Sequence, residues 1–333
     1  MGFDKEEEIR PKQILSQLIR LCELDAVKAH QIGEFREIDC PACQSCSYEY
    51  SFTKNYFTYK KCSECGSLFN SKRMTADSYN DFYLRSESSK FFDEKFYPAV
   101  EKARKEKLYP DRARMLSHLF QNDKTVRKVI LDVGAGEAFL FDLLAAEFPN
   151  NDFRVIEPNS GMALKCRQKG FHVFEGYVHQ QQSWQSECDI VLCFEVFEHL
   201  LDPSEFLKSL YKFLKPGGTV LITSLCFDGF DFKVLGEFSD MIAPPQHLNF
   251  FSLKGYEVFF QKHGFVDIVL TTPGKLDVDI VINKSEDLEG LKNDSLIRFL
   301  VDMNGEQRRN FQSYLSQNKM SSHVWIEAKK PEL

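Results

Sequence analysis

The sequence predicts an α/β chain in which a parallel sheet with helices between its strands follows a small cysteine-bound module. Three observations carry this. From about residue 127, apolar runs of strand length alternate with helical patterns, which is how a parallel sheet reads in sequence. The first run, "VILDVGAGEAFL" at 129–140, passes through glycines at 134 and 136 into a helix. Upstream, Cys40, Cys43, Cys46, Cys62 and Cys65 crowd one short segment.

Taken in order, residues 1–37 form a helical start. In "PKQILSQLIRLCELDAVKAHQ", Pro11 opens a helix and Ile14, Leu15, Leu18, Ile19 and Leu21 recur at helical spacing. Residues 38–75 make the cysteine module. Residues 76–122, with Tyr79, Phe82, Tyr83, Phe91, Phe92 and Phe96 among charges, read as linking helices or a lid. The main domain runs 123–333, with strands at "KVILDV", "FRVIEP", "HVFEG", "CDIVLCF", "GTVLITS", "FVDIVLTT" and "HVWIEAKK". The helix "PSEFLKSLYKFL" stops at Lys215-Pro216-Gly217-Gly218, and another covers "SLKGYEVFFQKHG". An insert at 273–320 holds two expected helices, "SLIRFLVDM" and "EQRRNFQSYLSQ", placed to cap a pocket or pack on the sheet edge.

With 333 residues the chain can bury a large core. A formal net charge of -7 and a pI near 5.7 disfavour nucleic acid as a partner. No apolar run is long enough to cross a bilayer, and the acidic start "MGFDKEEEIR" does not read as a signal peptide. Met1-Gly2 begins like a myristoylation site, but Glu6 stands where Ser or Thr is needed. The expectation is a soluble, cytoplasmic protein, and the scattered Cys22, Cys166, Cys188, Cys193 and Cys226 read as buried thiols of a reducing compartment. The oligomeric state is not readable.

Cys40, Cys43, Cys62 and Cys65 form C-x2-C-x18-C-x2-C, a zinc-ribbon spacing. Four thiolates suit tetrahedral zinc and leave no open position, so the ion would be structural. The alternatives are a disulfide or coincidence. Cys46 is surplus. Aromatics around the ribbon (Tyr48, Tyr50, Phe52, Tyr56, Phe57, Tyr59) outnumber Lys54, Lys60 and Lys61, which favours packing on the main domain over nucleic-acid binding.

A dinucleotide fingerprint would need a third glycine where Phe139 stands. The loop is instead Asp132-Val-Gly134-Ala-Gly136-Glu-Ala138, with Glu157 ending the next strand, where a carboxylate suits ribose hydroxyls. A nucleoside without pyrophosphate fits. These residues resemble the class I S-adenosylmethionine (SAM)-dependent methyltransferases, whose motif D/E-x-G-x-G-x-G is followed by an acid after the second strand. Ala138 replaces the last glycine. "CDIVLCFEVFEHLLDP" and "LKPGGTVLIT" resemble later motifs, so the likeness covers about 125–272 plus the last strand. It implies a Rossmann-like seven-stranded sheet with SAM as cofactor. Gly134 and Gly136 would lie at the methionine part, Glu157 at the ribose, and Tyr177 and Val178 near the adenine. Asp132 and Phe194 complete the cofactor set. The upstream ribbon and "PPQHLNFFS" resemble bacterial sugar methyltransferases that act on nucleotide-linked deoxysugars. The sugar C-methyltransferases carry a further nucleotide-binding region after this core, for which the given sequence reads as too short, so the resemblance leaves the acceptor open.

SAM carries an activated methyl, so the protein must align an acceptor and, for an oxygen, remove its proton. His247 is the candidate base, on a loop fixed by Pro244 and Pro245. Glu195, Glu198 and His199 form E-x-x-E-H, resembling ubiquinone-pathway and small-RNA 2'-O-methyltransferases, in which such residues can bind a divalent metal. Mg, Mn or Zn would suit them, with His247 as fourth ligand. Tyr79 and Tyr83 are placed to fold over the cofactor, Tyr83 entering the catalytic set with His247, Glu198 and His199. The expectation is methyl transfer to a polar small molecule, a sugar or nucleotide sugar, as O- or C-methylation, between which the sequence does not choose. The rivals are a metal-assisted O-methyltransferase and a zinc-ribbon binding protein with a vestigial core.

Overall fold

The computed structural model describes residues 6–121 and 126–332. Met1-Gly2 and the expected boundary at 122/123 lie outside the described residues. The main sheet has seven strands: β1 Val129–Val133, β2 Asp152–Glu157, β3 His172–Glu175, β4 Cys188–Phe194, β5 Leu214–Leu225, β6 Val266–Thr271 and β7 His323–Lys329. Their order is β6-β7-β5-β4-β1-β2-β3. All neighbours pair in parallel except those of β7, which runs antiparallel to β5 and β6. The expectation of a parallel sheet is corrected to a mixed one. β7 returns from the insert and slots between two strands already aligned, so its start, not its end, lies at the ligand edge.

Strand existence follows from composition. β1 and β4 are buried apolar runs with helices packed on both faces, as a central parallel strand requires. The helix Pro203–Phe213 opens with Asp202 accepting from the Glu205 amide, and buries Phe206, Leu207, Leu210 and Phe213. It stops before Lys215, as its sequence demands, and β5 continues with a register shift between Leu214 and Thr219.

The cysteine module packs into the domain. Its strands Tyr48–Lys54, Phe57–Cys62 and Leu68–Asn70 form an antiparallel sheet to which Asn249–Phe250, from the main domain, adds a fourth strand. Phe35–Glu37 pairs with Lys72–Met74. Cys40, Cys62 and Cys65 share one hydrophobic cluster with Val191, Ile222 and Phe251.

The first helix, Lys12–Ile32, is buried only in its second half, at Asp25, Ala26 and Ala29. The segment after the module is a chain of short helices. It loosens into wide π-type turns at Phe92–Phe96 and Arg104–Leu108, each followed at the second position of the next helix by a proline, Pro98 or Pro110, with no amide to continue the ladder. The insert has four helices where two were expected. Asp277–Ser285 was not among the expected ones: its Val and Ile residues favour strand over helix locally, whereas burial of Val278, Val281 and Ile282 overrides that preference. Glu289–Lys292 is one turn. Among the described residues, no helix is long and apolar enough to cross a membrane.

Candidate active site

The loop after β1 turns on three left-handed residues, Gly134, Gly136 and Ala138, with φ of 75°, 58° and 53°. A Cβ on Gly134 would sit 2.8 Å from Val196 Cγ2, so glycine is required there by space as well as by φ. Ala138 tolerates the conformation at a cost of about 1 kcal/mol. Glu157, at the end of β2, is 5% exposed. Its two oxygens accept from the Gly136 amide at 2.8 Å and the Asn159 amide at 2.9 Å. Burial pushes its carboxyl up while these amides oppose the shift. Each oxygen keeps a lone pair for a diol.

Asp132, next to last in β1, is buried beneath the same loop and pushed up to about 7 by burial and by the charge of Glu157. Its Oδ1 has no hydrogen-bond partner among the described residues. A buried orphan acceptor under a glycine cradle, with a carboxylate one strand away, fits the amino-acid and ribose ends of SAM. Val178 is buried, while Tyr177 is 55% exposed and stacks on His179. Phe194 ends β4 under the Arg112 guanidinium.

Beyond β4 lies a cavity of about 650 Å³. Leu15, Leu18, Ile19 and Cys22, the half-buried stripe of the first helix, face into it, with Phe92 and Phe96 opposite. Lys54 and Asn55 of the ribbon hairpin and Lys284 of the insert border it. Glu198, His199 and His247 line it too, each offering a ligand atom within 4.8 Å of the others. Both imidazoles have one nitrogen committed: His199 Nδ1 lies 3.1 Å from the Gln246 carbonyl, and His247 Nδ1 lies 2.5 Å from that of Met241. A carbonyl only accepts, so both Nδ1 atoms carry the proton and both Nε2 atoms present a lone pair. Burial and the His247 ring push His199 down to about 3, and burial lowers His247 as well. Glu198 is pushed up to about 8 by burial and by Glu195, with one oxygen accepting from Ser224 Oγ at 3.0 Å.

Glu195 does not join them, which corrects the four-residue metal set expected from the sequence. Its Oε1 accepts from Arg112 (2.7 Å), Thr223 (2.7 Å) and His323 (2.8 Å). Although burial pushes its carboxyl up, His323 and Arg112 outweigh that and hold it well below the usual carboxylate range. These contacts also fix its left-handed backbone, φ 56°. Tyr79 is buried with its hydroxyl on the His199 carbonyl, so it packs rather than covers. Tyr83 borders the cavity, its hydroxyl 3.5 Å from His199 Nδ1. Sequence reading passed over Arg112 and His323. His323 was findable: the last strand of a sheet closed by an antiparallel strand begins at the ligand edge.

The four module sulfurs converge, Cys40 to Cys65 at 3.6 Å and Cys43 to Cys62 at 3.4 Å. That is far too long for a disulfide and is the spacing of sulfurs around one tetrahedral ion. Cys46 is exposed and outside the cluster.

A family model described as a methyltransferase domain matches residues 101–270. Two ubiquinone biosynthesis O-methyltransferases are similar to this chain. That of Hydrogenovibrio crunogenus is 31% identical over 105 residues, and that of Pseudomonas paraeruginosa 27% over 109. Each alignment takes in 29% of this chain, covering 43% and 44% of the respective relative, so the chain spans less than half the length of these curated relatives. A phosphoethanolamine N-methyltransferase 2 of Haemonchus contortus, solved with S-adenosylhomocysteine (SAH), shares the fold at 18% identity and a TM-score of 0.50, over 80% of this chain and 63% of that one. With the family model matching just over half of its residues and the sheet carrying the glycine cradle and acid just described, the chain belongs to the class I SAM-dependent methyltransferases.

Proposed function

We propose that this protein transfers the methyl group of SAM to a hydroxyl of a small polar acceptor, a sugar or nucleotide sugar, held in the cavity beside Glu198, His199 and His247. The observation that carries the reading is the pair of neutral imidazoles, each with Nδ1–H tied to a backbone carbonyl and Nε2 left as acceptor. SAM, when bound, supplies a methyl on a positive sulfur. Gly134 and Gly136 admit its amino-acid end, Glu157 accepts from its ribose hydroxyls, and Val178 walls the adenine. His247 Nε2 takes the acceptor's proton, and its lowered pKa keeps it unprotonated at neutral pH. A cavity that joins an aliphatic stripe to Lys54, Asn55 and Gln246 suits a ring that is apolar on its face and hydroxylated at its edge. The cysteine set holds a structural zinc.

The convergence of three donor atoms within 4.8 Å favours a second reading of the same cluster. Glu198, His199 and His247 would hold a divalent cation, whose Lewis acidity would lower the acceptor hydroxyl's pKa. In that case Glu198→Ala matches metal removal, and full activity in a chelator that spares the ribbon sinks the idea. The first experiment is calorimetric titration with SAH. Micromolar binding, weakened about 100-fold in Glu157→Ala as two charge-assisted hydrogen bonds are lost, supports the cofactor pocket. No binding to wild type would leave a vestigial core behind the ribbon.

A further inference from the structure

The second half of the ribbon and the helix that follows it reach the backbone of both histidines. Tyr59, fully buried on the middle ribbon strand, donates its hydroxyl to the His247 carbonyl at 2.8 Å. Tyr79, in the helix after the ribbon, donates to the His199 carbonyl at 2.7 Å. Arg73 is fully buried, and no carboxylate among the described residues pairs with it. Its five N–H groups go to the carbonyls of Asn70 (3.1 Å), Leu200 (3.2 Å), Leu201 (2.8 Å) and Leu248 (3.4 Å) and to Asn249 Oδ1 (2.5 Å). Asn249 in turn donates to the carbonyls of Phe197 (3.2 Å) and Leu200 (2.8 Å), and the Leu248 amide donates to the Glu198 carbonyl at 2.8 Å.

A buried guanidinium is a poor stabiliser. Replacing such a charge by an apolar side chain of similar volume is often neutral or favourable. What Arg73 does is geometric: a rigid planar fork binds two loops to each other and to the ribbon. Those loops are the ones that carry Glu198 with His199, and His247. Among the described residues no hydrogen bond runs from the ribbon to the 132–138 loop or to Glu157. The ribbon therefore holds the acceptor side of the site and not the cofactor side.

We propose that Arg73, Tyr59 and Tyr79 are positioning residues through which the cysteine-bound module aims the His199 and His247 rings, so that the module's metal state governs the acceptor site. This rests on the reading that those histidines face the acceptor. Each tyrosine acts on one ring, and Arg73 with Asn249 locks the two together.

The test uses the full chain, zinc-loaded, with ring-15N histidine and no second metal added. In wild type, His199 and His247 are expected to give Nδ1–H tautomer signals. Tyr59→Phe removes one hydroxyl and should shift only the His247 signals toward a tautomer mixture, and Tyr79→Phe only those of His199. Chelating the ribbon metal, or Cys62→Ser, should shift both. SAH affinity should stay within about twofold throughout, as for sites without shared partners. Histidine signals unmoved in both Phe variants overturn the proposal even if stability falls, and so does SAH affinity lost in step with the signals. If Cys62→Ser does not fold, the two Phe variants decide. Cobalt titration of wild type separates the readings: no second equivalent bound, with the histidine signals moving as expected, removes the divalent-cation reading and leaves this one standing.

Discussion

Around Glu157 the holding groups are two backbone amides, Asn159 two residues on and Gly136 in the loop after the neighbouring parallel strand. Around His247 they are a tyrosine hydroxyl from residue 59, the Met241 carbonyl and a loop stapled by Arg73. The cofactor half is made of main chain that follows two adjacent parallel strands, so its geometry is fixed wherever those strands form. The proposed acceptor half is made of side chains from four distant parts of the chain, and each can change while the sheet stays. Within one fold, the proposed cofactor seat is held by neighbouring main chain and the proposed acceptor seat by long-range side-chain contacts.

The sharpest way to break that contrast is Gly134→Val. A Cβ 2.8 Å from Val196 Cγ2, on a backbone with φ of 75°, should collapse the cradle. Calorimetry should show SAH affinity down by at least about 1,000-fold, roughly 4 kcal/mol or more, while the ribbon keeps its zinc. A variant that still binds SAH would mean the cradle is not the seat. Next in size is Cys62→Ser. Elemental analysis should fall from about one zinc per chain to none, with stability lower by about 2–5 kcal/mol on the scale of losing a covalent staple; a metal-free, stably folded wild type would refute the zinc assignment.

A third measurement concerns the joint between the insert and the sheet, where Asp231 is fully buried near Asp277 and pushed up to about 7 by burial and then by that neighbour. The unfolded chain releases this proton near the ordinary value of about 4, whereas the folded chain keeps it. Between those values the native state binds more protons, so stability falls as pH rises, by about 1.4 kcal/mol per unit, and levels off above about 7. Asp231→Asn should flatten the melting temperature between pH 5 and pH 7, and an unchanged slope would assign the loss to other groups. The smallest effect is expected of Ala138→Gly. Relief of the left-handed alanine, less the entropy of an added glycine, should stabilise by about 0.5 kcal/mol with SAH affinity intact.

How far the sequence reaches follows the same division. All seven strands and the 134–157 cradle were legible because their signals are local: apolar runs, glycines at a turn, an acid at a strand end. The sulfur cluster was legible because its spacing is the signal. Glu195 misled because a charged residue in E-x-x-E-H shows nothing of Arg112 or His323, which lie 83 and 128 residues away. Arg73, in "NSKRM", looks like any surface arginine, and nothing near it announces five buried acceptors. The helix Asp277–Ser285 was missed for the complementary reason, since tertiary burial decided against its local preference.

The two-residue strand Asn249–Phe250 completes the ribbon sheet across a gap of 180 residues, Phe69 facing Asn249. During synthesis at about 5–20 residues per second, the finished hairpin waits roughly 10–40 s for that last strand to be made. Until then Leu68–Asn70 is an open edge, free to pair with whatever strand it meets. A chain cut before residue 249 keeps all four thiolates and should still take up zinc, yet it should associate through that edge where the full chain does not. Sedimentation of the two side by side reads the difference directly, and makes the ribbon a unit finished by the very domain it precedes.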